Sequence, residues 1–531
     1  MSMVDQAKSK RLLAVHGWSG MILGLLLYLV VLTGAIAVLA HEIGSWSTGS
    51  AGSHDLDPNA ATAVSQLASE VPEEWKDEVR LYTNMEGNTI ANFHTHQENP
   101  ASGQIEDYGG RFVISKDTGE VISRTEGYND VLYPTERGSA LEGFITELHI
   151  NLHLPNPWGL YATGILGLVL MAAAISGLIL HKHLFRDMFV SPRFSSMLLN
   201  KRDRHILAGT WSLPFAFILA FTGAFFSFII SIGFPIILLT GFGGDIERAT
   251  EMLTPKSPLV EDASPAPIQS LDQIYADLEA RTGSAPTNAN IVNLGRADSM
   301  IVLYAAASDG AVLGANHAYS VADGSYLGEQ PLIGSGENNA AGIAFGLMGA
   351  LHFGNFAGLL SKSVWVALGL AMCYVNITGM RMWTQRRLED RLWQRFDRVT
   401  TIFTYGVPLT MATSAMGFFA TYNFAGDTMT GTVIGFFTGT VLAFALGLRR
   451  IDELTAIRSL TAVLVASMLV LPIMRIATGG PGWINAITSG SGMIVTMDLL
   501  LLITAGAFAH REFGPIRLPL RAAVPIAEPA E

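Results

Sequence analysis

The chemically most distinctive residues in this sequence are histidines that lie at the ends of long apolar segments. A neutral imidazole is a good ligand for transition metals and for haem iron. Ionisable side chains at membrane depth are costly, so they usually mark function. Eight of the 13 histidines occupy such positions: His16, His41, His149, His153, His181, His183, His205 and His352. Their placement predicts a site near each face of a membrane.

The elements that must position these histidines are membrane-spanning helices. Half of the 531 residues are hydrophobic and only 15% are charged, whereas a soluble protein carries about a quarter charged residues. A spanning helix needs roughly 20 apolar residues. Eight stretches qualify: about 12–40, 157–181, 206–240, 358–382, 401–421, 431–448, 459–477 and 486–509. The sequence therefore predicts an α-helical integral membrane protein with about eight transmembrane helices.

Basic residues in short loops mark the cytoplasmic side of a membrane protein. Here they concentrate at both termini and in three loops, 182–204, 381–398 and 449–458. These loops alternate with weakly basic ones, so both termini are expected in the cytoplasm and residues 42–150 and 241–350 outside. The first apolar run is too long for the hydrophobic region of a signal peptide, so we expect it to remain as a membrane anchor.

The two outside segments are expected to fold as small α+β modules. Each begins with an amphipathic helical pattern, at 60–71 and at 268–281. Each ends with apolar residues alternating around an Asp-Thr-Gly or Asp-Gly turn, at 111–124 and at 317–329. This second pattern is typical of a β-hairpin. The same module is therefore predicted twice.

Several classes of site are excluded by the residue pattern. Cys373 is the single cysteine, which excludes an intramolecular disulfide and covalent haem attachment through a C-x-x-C-H motif. The glycine-rich stretch at 241–245 lacks the strand and helix that a dinucleotide fingerprint requires. His94 and His96 share one face of a predicted strand. We interpret these two as solvated, with a surface metal site as the alternative.

The membrane part of the chain also repeats. In two spans a Thr-Gly pair follows a histidine by 17 residues: Thr33-Gly34 after His16, and Thr222-Gly223 after His205. In two others a Ser-Gly or Thr-Gly pair follows by 27 or 26 residues: Ser176-Gly177 after His149, and Thr378-Gly379 after His352. These small residues allow close helix approach, or they leave room for a flat macrocycle.

The repeat predicts how the histidines pair. Two helices of a bundle can each supply one axial ligand to a haem iron. A pseudo-two-fold axis along the membrane normal relates His16 to His205, and His149 to His352. The sequence therefore predicts two non-covalently held haems, one near each face, with these four histidines as axial ligands.

Two further histidines stay open as haem ligands. His153 lies one helical turn after His149, so one of the two is expected to be the haem ligand and the other its hydrogen-bonding neighbour. His181 competes with His16 and His205 for the two axial positions near the cytoplasmic face. For any single histidine the alternative is an interfacial imidazole satisfied by headgroups and backbone, but the match across the repeat favours haem ligation.

Two stretches, SGLILHKHLFRDMF at 176–189 and RHILAGTWSLPFAFILAFTG at 204–223, resemble the PepSY-associated transmembrane family. The module ends SKDTGEVIS and SVADGSYLG resemble PepSY domains, and the resemblance covers roughly residues 10–390. It implies a haem-bearing bacterial inner-membrane protein with two periplasmic PepSY-like modules, similar to ferric-siderophore reductases that carry two b-type haems. On this resemblance, His153 fits the family pattern less closely than the histidines that match it: His16, His149, His181, His205 and His352.

The expected layout follows from the spans and the modules. It comprises a first transmembrane helix (1–41), a first PepSY-like module (42–148), helices two and three with a basic loop (149–240), a second module (241–350), a fourth helix (351–385) and a C-terminal four-helix extension (386–531). The apolar runs of the extension contain almost no ionisable residue, so we expect it to pack against the bundle or to bind a partner.

The expected function is electron transfer across the membrane to a ferric siderophore or another ferric chelate in the periplasm. The expected donor is a quinol or another protein, because no dinucleotide site is evident. The lipid bilayer is also an expected partner, and no nucleic acid is expected to bind. The alternative is a non-enzymatic transport, assembly or partner-binding protein that acts through its PepSY modules.

Overall fold

The computed structural model describes residues 6–49, 55–134, 136–180, 189, 197–245, 257–305, 314–330, 340–423, 427–449 and 451–514. The helices are α1 (Gln6–Ile22), α2 (Gly24–Ala37), α3 (Ala40–Thr48), α4 (Pro58–Glu70), α5 (Asn129–Leu132), α6 (Ala140–Asn151), α7 (Trp158–Leu180), α8 (Met197–Phe228), α9 (Phe234–Phe242), α10 (Leu271–Thr282), α11 (Ala340–Phe353), α12 (Gly358–Gln385), α13 (Arg391–Tyr422), α14 (Thr428–Gly447), α15 (Glu453–Ala477), α16 (Trp483–Thr488) and α17 (Gly492–Phe513). The strands are β1 (Glu78–Thr83), β2 (Thr89–Asn99), β3 (Gln104–Ile114), β4 (Val121–Gly127), β5 (Pro286–Val292), β6 (Met300–Ala305), β7 (Ala315–Ser320) and β8 (Tyr326–Gln330).

Long apolar helices dominate the described part of the chain. Seven helical spans in it are long and apolar enough to cross a membrane, or eight if α1 and α2 count as one bent span. These two helices meet at Leu23 with a bend of 68°. α8 continues into α9 through a π-helical turn at Ile229–Gly233. The prediction of a multi-pass α-helical membrane protein is therefore confirmed.

Among the described residues, eight strands form one antiparallel sheet in the order β4-β3-β2-β1-β5-β6-β7-β8. The predicted hairpins are present as β3–β4 and β7–β8, and the predicted helices as α4 and α10. The two modules join edge to edge through β1 and β5, where Glu78 lies opposite Val292. Leu67 of α4 and Leu278 of α10 belong to the same buried apolar cluster. The two modules therefore share one sheet and one hydrophobic core.

A short helix leads from each half of the sheet to the membrane bundle. α6 carries His149 and α11 carries His352. Each helix is followed by a residue in the left-handed region, Leu152 with φ 58° after α6 and Gly354 with φ 65° after α11. The chain therefore turns sharply between each histidine and its next span, α7 or α12, whereas the sequence pattern places the histidine at the start of the span.

The C-terminal extension packs against the first bundle, with α13 in contact with α12 and α17 in contact with α3. It is poor in ionisable residues, as expected, but it buries one ion pair completely: Arg475 Nη2 donates to Asp498 Oδ2 over 2.8 Å. The indole N–H groups of Trp46 and Trp483 donate to the same carboxylate, each over 2.8 Å. Because a buried charge requires such partners, this network ties the extension to α3.

On the sheet, His94 and His96 of β2 share one face, as expected for alternate residues of a strand. Both approach Glu78 and Asp107; His96 Nδ1 lies 2.9 Å from Asp107 Oδ1, and His94 Nε2 lies 3.7 Å from Glu78 Oε2. His94 is fully buried, so its interpretation as a solvated side chain is wrong. Over the described residues, no group of three or more His, Cys, Asp or Glu side chains is arranged to hold a metal ion.

The substitution Glu78→Gln should destabilise the sheet at neutral pH, and this destabilisation should disappear at acid pH. Burial alone would raise the pKa of Glu78, but the neighbouring imidazole of His94 and the charge of Arg80 lower it to about 2. The carboxylate therefore stabilises the folded state above its unfolded pKa of about 4.3, and this contribution disappears as the pH falls toward 2. We expect the free energy of unfolding to fall by on the order of 2 kcal/mol at pH 7.

The measurement is thermal unfolding of the purified full-length protein across this pH range. The control is Glu98→Gln, which changes an exposed carboxylate on β2. Equal destabilisation by both substitutions at pH 7, or an effect of Glu78→Gln that is undiminished near its folded pKa of about 2, would contradict this account.

Two histidine pairs inside the membrane bundle

The structure brings four of the candidate histidines together as two pairs. The far-side pair, which lies away from the sheet, consists of His16 on α1 and His205 on α8, with ring centroids 6.3 Å apart. The sheet-side pair consists of His149 on α6 and His352 on α11, with ring centroids 6.1 Å apart. Each pair therefore takes one histidine from each copy of the repeat, as the sequence predicts.

Backbone carbonyls fix the rings of the far-side pair. His16 Nδ1 lies 3.0 Å from the carbonyl oxygen of Ala173 on α7. His205 Nδ1 lies 3.0 Å from the carbonyl oxygen of Val375 on α12. The two helices occupy equivalent places in the repeat, so the two rings are anchored in the same way.

Hydroxyl groups add a second acceptor at the same atoms. Ser176 Oγ lies 3.2 Å from His16 Nδ1, and Thr378 Oγ1 lies 3.1 Å from His205 Nδ1. Each hydroxyl donates its own proton to a carbonyl of its helix. It can therefore only accept from the imidazole.

The sheet-side pair uses the same two kinds of partner. His149 Nδ1 lies 3.0 Å from the carbonyl oxygen of Val30 on α2. His352 Nδ1 lies 2.9 Å from Thr222 Oγ1 on α8, and this hydroxyl donates to the carbonyl of Ile218. Both rings are thus held by the helix that carries the repeated Thr-Gly pair.

These contacts fix the tautomer of all four imidazoles. A carbonyl only accepts hydrogen bonds, and the hydroxyls have already donated their protons, so each Nδ1 carries a hydrogen. Each Nε2 then keeps its lone pair. Within the part of the chain that the structure describes, none of the four Nε2 atoms has a hydrogen-bond partner. Each ring is therefore positioned to ligate through Nε2.

The glycine of each Ser/Thr-Gly pair packs against the edge of one imidazole. A Cβ added at Gly34 would lie only 2.6 Å from Cε1 of His149. At the other three positions the added Cβ would lie 3.2 or 3.3 Å from a histidine Cε1: Gly177 with His16, Gly223 with His352, and Gly379 with His205. The repeated dipeptides therefore make room for the histidine rings themselves.

A single helix connects the two pairs. α8 carries His205 of the far-side pair and, 17 residues later, Thr222, which holds His352 of the sheet-side pair. At a rise of 1.5 Å per residue this interval spans about 25 Å. The pairs are therefore separated by most of the thickness of a membrane's hydrocarbon core.

The remaining candidates do not join these pairs in the described structure. His153 lies in the turn after α6, where its Nε2 is 3.0 Å from the carbonyl oxygen of Phe144. That nitrogen carries a hydrogen and holds the turn, so it has no lone pair to offer a metal. His181 and His183 lie outside the described residues, and the role of His181 at the far-side site stays a prediction.

These features define a multi-pass membrane protein with two interior pairs of imidazoles beneath a β-sheet module. The chain belongs to the family of the PepSY-associated TM region, whose model matches residues 13–386. Over 270 residues it is 26% identical to the uncharacterised protein PA4219 of Pseudomonas aeruginosa, an alignment that covers 48% of this chain and 67% of that protein. All four paired histidines lie within the family match, whereas α13 to α17 follow it.

Gly34→Ala should destabilise the protein by displacing the His149 ring. Overpacking of this kind costs about 1–3 kcal/mol, which exceeds the roughly 1 kcal/mol that alanine gains over glycine in a helix. The matched control is Gly20→Ala on α1, where an added Cβ meets nothing within 4 Å. We expect a lower thermal unfolding midpoint for Gly34→Ala alone, and similar shifts in both variants would refute the seating role.

Proposed function

We propose that this protein holds two b-type haems, one at each histidine pair, and passes electrons across the bacterial inner membrane. The observation that carries the proposal is the set of four imidazoles, paired across the repeat, each with Nδ1–H anchored and Nε2 free. Metal-ligating histidines characteristically donate their other ring N–H to a carbonyl, which fixes the ring and raises its basicity. A haem held by axial ligands alone also agrees with a single cysteine.

The spacing of the rings supports one iron between the members of each pair. Two imidazoles that would hold one iron through one nitrogen each, at a bond length of about 2 Å, would have ring centres at most roughly 6.2 Å apart, because a ring centre lies roughly 1.1 Å beyond its nitrogen. The observed separations are 6.3 Å and 6.1 Å. A zinc ion requires four ligands, which a pair does not supply, whereas a haem brings its own equatorial nitrogens.

When bound, haem iron supplies one-electron chemistry through its ferric and ferrous states. The residues of the chain set the positions: His16 and His205 hold the far-side site, and His149 and His352 hold the sheet-side site. The helices between them are apolar enough to cross a membrane. Electrons entering at the far-side pair would therefore leave at the sheet-side pair.

The acceptor is proposed to lie on the sheet side, because the helices that carry the sheet-side pair, α6 and α11, follow the two halves of the sheet in the chain. In the orientation that the basic loops indicate, the sheet faces the periplasm and both termini face the cytoplasm. A ferric siderophore or another ferric chelate fits this place. Hard oxygen ligands bind ferric iron more tightly than ferrous iron, so reduction promotes release of the metal.

The purified full-length protein should show the absorbance bands of b-type haem in a reduced-minus-oxidised spectrum, with two haems per chain. His149→Ala or His352→Ala should remove one haem, and His16→Ala or His205→Ala should remove the other. Removing one of two axial ligands leaves an open iron that the protein holds poorly. The measurement is haem content per chain together with the spectrum.

The control for these substitutions is His153→Asn. The side chain of His153 is engaged with Phe144 rather than with a pair, and asparagine tolerates its positive φ of 54°. This variant should keep both haems. Absence of haem bands from the wild-type protein would refute the proposal and favour partner binding through the sheet, and two full haems in both sheet-side variants would refute the pairing.

A further inference from the structure

A cavity of about 1290 Å³ lies between the first bundle and the C-terminal extension. α2 and α12 line it on one side, and α13 and α17 line it on the other. Small-molecule sites usually measure about 300–1,000 Å³, so this cavity has room for a long ligand. It reaches from Trp46 and Leu141 near the sheet to Arg204 and Arg381 at the far side.

The lining of the cavity is polarised along its length. Hydrocarbon side chains such as Leu370 and Leu500 form most of the wall. The far-side end is different because four basic side chains line it: Lys201, Arg204, Arg381 and Arg511. This distribution fits an amphiphile with a long apolar tail and a small polar head at the far side.

The polar end of the cavity adjoins the far-side histidine pair. Thr378 lines the cavity, and its Oγ1 lies 3.1 Å from His205 Nδ1. Arg204, which also lines the cavity, directly precedes His205 in α8. A head group at this end would be separated from His205 by one side chain. A structural lipid does not need to lie close to His205, whereas an electron donor to this pair does.

Hydrogen-bonding groups remain available at the same end. Arg381 lines this end of the cavity; its Nη2 donates to Thr401 over 3.2 Å, and its guanidinium carries further N–H donors. Such a donor suits the oxygen of a quinone ring. Tyr405 also lines the cavity, and its hydroxyl lies 3.3 Å from Oε1 of Glu512. This contact provides a route by which a proton can leave the cavity.

We propose that this cavity binds an isoprenoid quinol, which is the electron donor to the far-side pair. The inference rests on the proposed haem function. Oxidation of a quinol breaks two O–H bonds and releases two electrons and two protons, which leaves a quinone. The electrons would pass one at a time to a ferric haem held by His16 and His205, and the two protons would leave one after the other through Tyr405 and Glu512 to the solvent.

The test compares two neighbouring leucines of α17 in the full-length protein. Leu500 lines the cavity and is 44% exposed, whereas Leu499 is 42% exposed and lies outside the lining. Leu500→Trp should fill the apolar channel, and Leu499→Trp should not. Quinone extracted from the detergent-purified protein should fall roughly tenfold in Leu500→Trp and stay at the wild-type level in Leu499→Trp. Leu370→Trp, on the opposite wall, should repeat the loss.

A second measurement separates this inference from the haem proposal. Haem content and the dithionite-reduced spectrum are recorded on the same samples and should be unchanged in both α17 variants. A short-chain quinol should then reduce the wild-type and Leu499→Trp proteins roughly tenfold faster than Leu500→Trp. Absence of haem bands from the wild-type protein, with quinone still displaced by Leu500→Trp, would overturn the haem proposal and the donor role of the quinol, and would leave only the quinone-binding site.

Two outcomes would overturn the quinol inference while leaving the haem proposal intact. One is a wild-type protein that contains haem but no quinone and is not reduced by the short-chain quinol. The other is extraction of a phospholipid, rather than a quinone, as the molecule that Leu500→Trp displaces. The haem spectrum shows in either case that the protein under test has folded.

Discussion

A neutral imidazole inside a membrane bundle has one N–H that must be satisfied and one lone pair that is left over. No water is present there to accept the hydrogen, so a carbonyl or hydroxyl of a neighbouring helix has to accept it. His149 reaches the carbonyl of Val30 only because Gly34 lets the ring lie against α2. The same constraint operates at all four rings, and it determines where glycine occurs, how closely the helices pack and which nitrogen stays free.

The extension changes what the first bundle exposes. Without α13 to α17, the face of α12 that carries Leu370 and Tyr374 would meet lipid; with them, it becomes one wall of a cavity. The network of Arg475 and Asp498 with Trp46 holds this arrangement, because it joins α15 and α17 to α3 of the first bundle. This buried charge pair therefore fixes the position of the extension relative to the first bundle.

Much of this architecture could be predicted because it leaves periodic marks in the sequence. The length of the apolar runs predicts the spans, and the repeated intervals after His16 and His205 predict the pairing. The Nδ1 partners could not be predicted, because every residue carries a backbone carbonyl and the sequence does not mark which one accepts the hydrogen bond. The i,i+4 spacing of His149 and His153 implies a shared helix face, but the helix ends at Asn151 and the rule does not apply. The pairing of β1 with β5 could not be predicted either, because the alternation of apolar and polar residues along a strand does not identify its neighbours in the sheet.

The junction between β1 and β5 has a further consequence. The two strands are equivalent members of the repeat and they pair antiparallel, which is the geometry of an isologous contact. Each half of the chain also contributes one histidine to each pair. A half on its own would therefore expose an open β-strand edge and two unpaired histidines, and association with a second, two-fold related copy would restore both pairs. Covalent fusion of the halves removes this dependence on concentration, so the assembly of both sites becomes an intramolecular event.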